Sequence, residues 1–371
     1  MTYARPRRPL LGRTRPRPHT AAPVSPRPIS LGRTLIIVNP AAQNGAAAKA
    51  GERLQRFLDL YLGPARGSYE LVRTERAGHA TELAARAAGY DTVVAVGGDG
   101  VIHETANGLM EIDRAHRPTL GIVPVGSGND YARTLGYTDL SGNDFSPLMR
   151  SVPVPMDVGR VRYRDGCAES VPGAAAAGGP WRTAYFLETL SFGLDAAIAI
   201  GTTGLRRTTG LTGTPLYMLS GLECFAKGYR TYPVRLALDG AEASARQMIL
   251  CAIQLGPTYG SGFKICPDAD PTDGLLDLCW AEGPVPRAVA VPVFLSARAG
   301  LHTRSRLMRF ERARHIEIAF GERSATGERD TPGADPSAPV PLQVDGEQLE
   351  ASRLTIDVMP GALRVRSLVA F

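Results

Sequence analysis

The chain has 371 residues, 44% of them hydrophobic and 21% charged, with a formal net charge of +6. The length fits two domains, and the composition excludes a wholly disordered or fibrous protein. Its best apolar run, 288–297, is shorter than the roughly 18 residues of a membrane helix and is broken by Pro292, so no transmembrane segment is predicted.

The charge is unevenly placed. Residues 1–34 hold eight Arg and no acid, whereas the other 337 carry 34 basic and 36 acidic side chains. A slightly acidic body argues against nucleic-acid binding, which needs clustered basic residues. Pro and Arg through 5–28 deny the start of the chain both helix and core, so 1–33 reads as a disordered tail without a signal-peptide core. Such a tail suits weak adhesion to anionic lipid, at about 1 kcal/mol per basic residue, or is a plain extension. Five cysteines (Cys167, Cys224, Cys251, Cys266 and Cys279) form no C-x-x-C, which disfavours zinc and disulfide frameworks and points to a reducing cytoplasm.

From residue 34 the texture changes. Leu35-Ile36-Ile37-Val38 reads as a buried strand, stopped by Asn39-Pro40. A helix is predicted over 46–62, with Leu54, Phe57, Leu58 and Tyr61 on one face. Strand 69–73, helix 80–88, strand 92–96, helix 101–110 and strand 120–123 follow. This alternation predicts a parallel sheet covered on both faces, in an α/β domain over 34–157. Beyond it the pattern predicts a mainly β domain over 158–371, its last segment free to return to the first. Strands are expected at 158–163, 184–189, 234–238, 248–254, 275–280, 316–320 and 354–358, with one helix at about 216–227. Segments 166–180 and 321–341 read as surface loops.

The sharpest motif is Gly97-Gly98-Asp99-Gly100, running from a strand into the helix at Val101. Glycines there let backbone N–H groups approach an anion, and the helix N-terminus adds its positive end. Asp99 would repel a phosphate unless a divalent cation lay between them; the plainer reading is a turn with an Asp cap. Asn39-Pro40 with Asn44-Gly45, and Pro124 to Asp130, follow two other strands of the same sheet. Loops after parallel strands gather on one edge, where ligands bind.

These motifs, in this order, resemble the diacylglycerol kinase catalytic-domain family of lipid kinases in its bacterial form. The resemblance runs through Asn39-Pro40, Thr74 to Ala80 with Gly78-His79-Ala80, Gly97 to Val101, and Pro124 to Asp130. Asp273-Gly274-Leu275-Leu276 and Asp345-Gly346-Glu347 complete it. It implies an α/β nucleotide-binding domain related to the NAD kinase type, a β-sandwich domain, and transfer of the ATP γ-phosphate to a lipid hydroxyl. It also implies a peripheral place at the membrane and leaves a homodimer open.

By this resemblance Asn39, Thr74, Gly97, Gly98, Asp99, Gly100, Val101, Ile102, His103 and Ser127 line the nucleotide. Asp99 and Asp130 hold the catalytic Mg²⁺, and Glu347 is the general base. Asp270, Asp273 and the Leu275 carbonyl form a second, structural Mg²⁺ site, the alternative being a metal-free Asp-Gly turn. For His79 and His103, capping or packing is favoured over catalysis. Residues 190–195 and 259–263 also match family patterns, as cleft walls or as packing turns. Val101 and Ser127 each stand where the family has Thr; the first removes a hydroxyl, the second keeps one. Other readings are a sphingoid, ceramide or glycolipid acceptor, an NAD kinase, and a non-enzymatic nucleotide sensor. Asp345-Gly346-Glu347 and the Asp-Gly-Leu-Leu turn favour the lipid kinases over NAD kinase.

Overall fold

The computed structural model describes residues 30–62, 68–138, 144–164, 180–320 and 339–371. The tail through residue 29 and most of the loops expected at 166–180 and 321–341 lie outside the described residues. Leu31, which falls inside the segment read as tail, is buried, and its carbonyl accepts the Thr92 hydroxyl at 2.7 Å.

The first unit alternates β1 (Thr34–Val38), α1 (Ala46–Leu62), β2 (Tyr69–Arg73), α2 (His79–Ala85), β3 (Thr92–Gly97), α3 (Asp99–Glu111) and β4 (Thr119–Pro124). These strands pair in parallel in the order β4-β3-β1-β2. Strands β1, β3 and β4 are buried throughout. One face packs on α2 and α3, through Ala80, Ala84, Ile102 and Leu109, and the other on α1, through Leu54 and Leu58. Short helices α4 (Asp130–Thr134) and α5 (Ser146–Arg150) lead out of it.

Next come β5 (Val152–Arg164), β6 (Arg182–Phe186), β7 (Thr189–Gly193), α6 (Leu194–Thr209), α7 (Gly213–Lys227), β8 (Tyr232–Leu238) and β9 (Ser244–Gln254). They are followed by β10 (Leu276–Glu282), α8 (Arg287–Ala297), β11 (Met308–Ala313), β12 (His315–Phe320), β13 (Leu342–Val344), β14 (Glu347–Gln348) and β15 (Arg353–Ser367). The inward side chains of the antiparallel strands, among them Phe192, Ile253, Leu278, Ile316 and Ile356, fill one sandwich core. The fold is the α/β sheet and mainly β sandwich expected, with a layer of helices the sequence only partly announced. Helices α6 and α8 were not foreseen: Gly201, Thr202, Thr203 and Gly204 interrupt one, and valines with Pro292 interrupt the other.

Strand β15 couples the two units. It pairs with β5 along its whole length and with β12 through Asp357, then meets β4 in parallel at Val365–Leu120. Near the bulge at 359–363, the buried Asp157 accepts the N–H groups of Gly361 and Gly274, each at 2.7 Å.

Asp195, in the first turn of α6, is buried between that helix and the sheet. Its Oδ1 accepts the Tyr217 hydroxyl at 3.4 Å, while Oδ2 has no partner. Burial, aided by Cys279 and opposed by Ser191, pushes its pKa up to about 7. The fold therefore favours the protonated acid. That contribution is complete below the ordinary value of about 4 and is lost as pH rises through about 7. Asp195→Asn should flatten the fall in melting temperature across this window, measured by thermal scans at several pH values.

Candidate active site

Strand β3 passes into α3 within one residue, Gly98, and the turn lies against the loop that follows β4. A Cβ on Gly98 would stand 3.1 Å from the Gly126 Cα, and one on Gly126 would overlap Gly98. Two glycines are needed where two backbones meet this closely. The Asp99 carboxylate leans over the second loop, where Oδ2 accepts the Asn129 N–H at 2.7 Å. Asp99 Oδ1 is buried and has no partner. Burial first, then the negative charge of Asp130, push the Asp99 pKa up to about 7.

Asp130 stands on the other side of Gly128. A Cβ at that glycine would lie 2.7 Å from Asp99 Oδ2 and 3.4 Å from Asp130 Oδ2. Asp130 Oδ1 accepts the Gly262 N–H at 2.7 Å and Arg133 Nη1 at 2.9 Å, and Oδ2 accepts the Ser261 N–H at 2.8 Å. It thus ties the first sheet's loop to the 259–263 turn of the second unit. Burial raises its pKa despite these bonds.

Asp345-Gly346 is the tip of the β13–β14 hairpin, with φ of 47° and 92°. Positive φ at both residues is the geometry for which an Asp-Gly pair is suited. The Asp345 carboxylate accepts the N–H groups of Leu187, Glu188 and Thr189 at 2.8–3.0 Å, and Oδ2 lies 3.1 Å from His103 Nδ1. Burial opposes the charged form of His103, but the bond and charge of Asp345 outweigh it, so its pKa is raised. Glu347, the next residue but one, is exposed, and its Oε1 would lie 3.6 Å from a Cβ on Gly100. The hairpin carries Glu347 to the N-terminus of α3.

A cleft of about 620 Å³ joins these parts. Of the expected residues, Asn39, Gly98, Asp99, Gly100, Val101, Ile102, His103, Ser127, Asp130 and Glu347 line it; Thr74 and Gly97 do not. Val101 is buried, and its methyl occupies the space a Cβ on Gly97 would need. His79 accepts the Glu75 N–H on its Nδ1 at 3.1 Å, a local capping contact.

Asp270, Asp273 and Leu275 lie elsewhere, in a turn whose Gly274 N–H goes to Asp157. Asp270 Oδ1 accepts the Thr272 N–H and hydroxyl, and Asp273 Oδ1 accepts the Leu275 N–H. Burial, with Asp277 and Asp270 nearby, moves the Asp273 pKa up to about 6. Among the described residues, no three His, Cys, Asp or Glu side chains group to hold a metal ion.

Sequence reasoning did not single out Glu188. It lies on the cleft floor against Gly256, with both carboxyl oxygens buried and without a hydrogen-bond partner. Burial, then Asp130, Asp345 and Asp99, raise its pKa well above the carboxylate range, opposed by the nearby Thr134 hydroxyl. An acid inside the apolar run before β7 was the available signal.

The sequence model of the diacylglycerol kinase catalytic domain matches residues 33–161. That of the YegS C-terminal NAD kinase beta sandwich-like domain matches 188–367. The diacylglycerol kinase of Mycobacterium tuberculosis is 28% identical over 261 residues, covering 68% of this chain and 74% of the relative. That of Bacillus subtilis is 28% identical over 255 residues, 67% and 75% respectively. A diacylglycerol kinase crystal structure from Bacillus anthracis shares the fold, with a TM-score of 0.58 at 18% identity over 90% of this chain and 96% of that one. Fold and matches together define the class as a kinase, built from an α/β catalytic unit and an NAD kinase-like sandwich. The chain belongs to the diacylglycerol kinase catalytic-domain family.

Proposed function

We propose that this protein transfers the γ-phosphate of ATP to the hydroxyl of diacylglycerol or a similar lipid, giving phosphatidic acid or the corresponding lipid phosphate. The observation that carries this reading is Asp99 Oδ1, a buried carboxylate oxygen with no partner at the start of α3, in the same cleft as Glu347. The backbone N–H groups of the first turn of α3 and of the Gly126–Gly128 loop would hold the phosphates. Asp99 suits Mg²⁺ because a hard oxygen is left over and the carboxyl is otherwise driven towards its neutral form. Asp130, whose oxygens already accept three protein hydrogen bonds, would add negative charge and fix the loop. When bound, Mg²⁺ would neutralise charge on the transferring phosphoryl group. Glu347 would take the proton of the acceptor hydroxyl, and Asp345 would hold the hairpin that aims it.

A lipid acceptor is supported by a second, almost wholly apolar cavity of about 70 Å³, lined by Leu194, Phe225, Ile249 and Phe294. Tyr217 lines both spaces. Among the described residues no helix is long and apolar enough to cross a membrane. On this reading the enzyme would meet its lipid substrate at the membrane surface, from the cytoplasmic side, as a peripheral protein. Incubation with labelled ATP, Mg²⁺ and dispersed diacylglycerol should yield labelled phosphatidic acid. Labelling of NAD alone, or of nothing in a total lipid extract, would overturn the reading.

Asp270, Asp273 and the Leu275 carbonyl are proposed as a second Mg²⁺ site, because burial first, and then Asp277 and Asp270, oppose the ionisation of Asp273 despite Arg312 at 4.0 Å, and a cation would relieve this. Changing both aspartates to Ala should lower the melting temperature and remove its Mg²⁺-dependent rise without nucleotide, by linkage of binding to folding. A rise that survives in the double variant places the responsible site elsewhere.

A further inference from the structure

We infer that the outer faces of α7 and α8 form a docking surface for an anionic lipid bilayer; this rests on the lipid-acceptor reading and names the surface by which the enzyme would reach that acceptor. A helix that covers a sheet normally turns a polar face outward. Helix α7 does not. Leu211 just before it, then Pro215, Leu219, Leu222 and Ala226, are exposed at steps of three to four residues, with Leu222 at 50%. Helix α8 repeats the pattern with Val289, Pro292 and Leu295, and carries no charged side chain between Arg287 and Arg298.

The inner faces of both helices already have a core. Tyr217 and Phe225 of α7 and Phe294 of α8 pack there with Ile198, Ile249 and Phe263. Gly221 passes so close to Phe294 that a Cβ would stand 2.7 Å from the ring. The two helices are thus one layer, and their outward apolar stripes are surplus to its packing. Contiguous exposed apolar residues on one layer mark an interaction surface.

The charge around the stripes selects the occupant. Arg206, Arg287, Arg298 and Arg304 are exposed on or beside these helices, and the one acid of α7, Glu223, is neutralised by Lys227 at 2.6 Å. An apolar centre with a basic rim is the composition of a layer lying in a bilayer interface, where basic residues meet anionic headgroups. The location fits as well: Thr202 and Arg206 of α6, with Gly213, Leu216 and Tyr217 of α7, line the cleft. A bilayer seated on the stripes would place lipid headgroups at its mouth.

The test uses the full chain without nucleotide, sedimented with vesicles of phosphatidylglycerol mixed into phosphatidylcholine. The wild type should bind, less tightly at high salt or on phosphatidylcholine alone. Leu222→Glu with Leu295→Glu should weaken partitioning at least about 100-fold, on the order of tenfold for each leucine withdrawn from apolar contact. Its melting temperature should stay that of the wild type, because both side chains are exposed. Turnover of a short-chain, water-dispersed diacylglycerol should also be unchanged. Absence of that turnover in both proteins would defeat the kinase reading while the vesicle result stood. Vesicle binding that is equal in the two proteins, or absent in the wild type, overturns the docking surface. A wild type that sediments as a dimer, and a variant that does not, would assign the stripes to a second copy of the chain and overturn it equally.

Discussion

Glu347→Gln should lower kcat at least about 10²-fold, the lower end of what a general base contributes, with ATP affinity changed by only a few-fold. The amide is nearly isosteric, so the loss is chemical: it cannot take the hydroxyl proton as the P–O bond forms. The hairpin should keep its shape, because Asp345 holds it through three backbone N–H groups and Glu347 does not. ATP should bind much as before, since Glu347 comes from the second unit while the loops proposed to hold the phosphates belong to the first. A loose, metaphosphate-like transition state uses its base late, which sets the expected loss at the low end of the range. Steady-state kinetics on dispersed diacylglycerol separate the outcomes. A wild-type kcat with a raised lipid KM would make Glu347 a binding residue and remove it from the chemistry.

Asp99→Asn should lower kcat by about 10²–10³-fold, comparable to removing one main electrostatic stabiliser of a transition state. The Asn carbonyl can still accept the Asn129 N–H that Oδ2 now accepts, so the loop should persist. What vanishes is a negative charge facing the cleft. The melting temperature without Mg²⁺ should not fall, because burial and Asp130 already disfavour the ionised carboxylate. Turnover assays paired with thermal scans read both expectations. Near-normal phosphorylation by this variant would remove Asp99 from the proposed Mg²⁺ site.

The parts of the fold most legible in the sequence were those set by local rules. The first sheet was readable because β1, β3 and β4 are short, wholly apolar runs ended by Asn-Pro, Gly-Gly or Pro, and each is followed by a helix-forming stretch. Asp345-Gly346 read as a turn because its residue types suit positive φ at both positions. Long-range partners were not legible. Nothing near Asp345 in the chain shows that its carboxylate serves N–H groups some 156–158 residues away, or that His103 lies 242 residues from its partner. The fate of Asp130 was hidden for the same reason, since two of its three donors are at 261 and 262. Helices α6 and α8 escaped notice because their Gly, Thr, Val and Pro residues give poor helix propensity, which the tertiary packing of Ile198 in one and of Phe294 and Ala297 in the other overrides.

The splice made by β15 bears on how the protein is synthesised. Chains emerge from the ribosome N-terminus first, and domains commonly fold as they appear. Here the outer edge of β4 gains its neighbour, at Val365, from a strand far downstream in the chain. Strand β5, complete by residue 164, likewise waits for residues 353–367 to pair with it. Until then both present unpaired backbone edges of the kind that recruit other chains. The nascent polypeptide therefore carries an unfinished first sheet until residues 353–367 have emerged, and their pairing is the event that closes it.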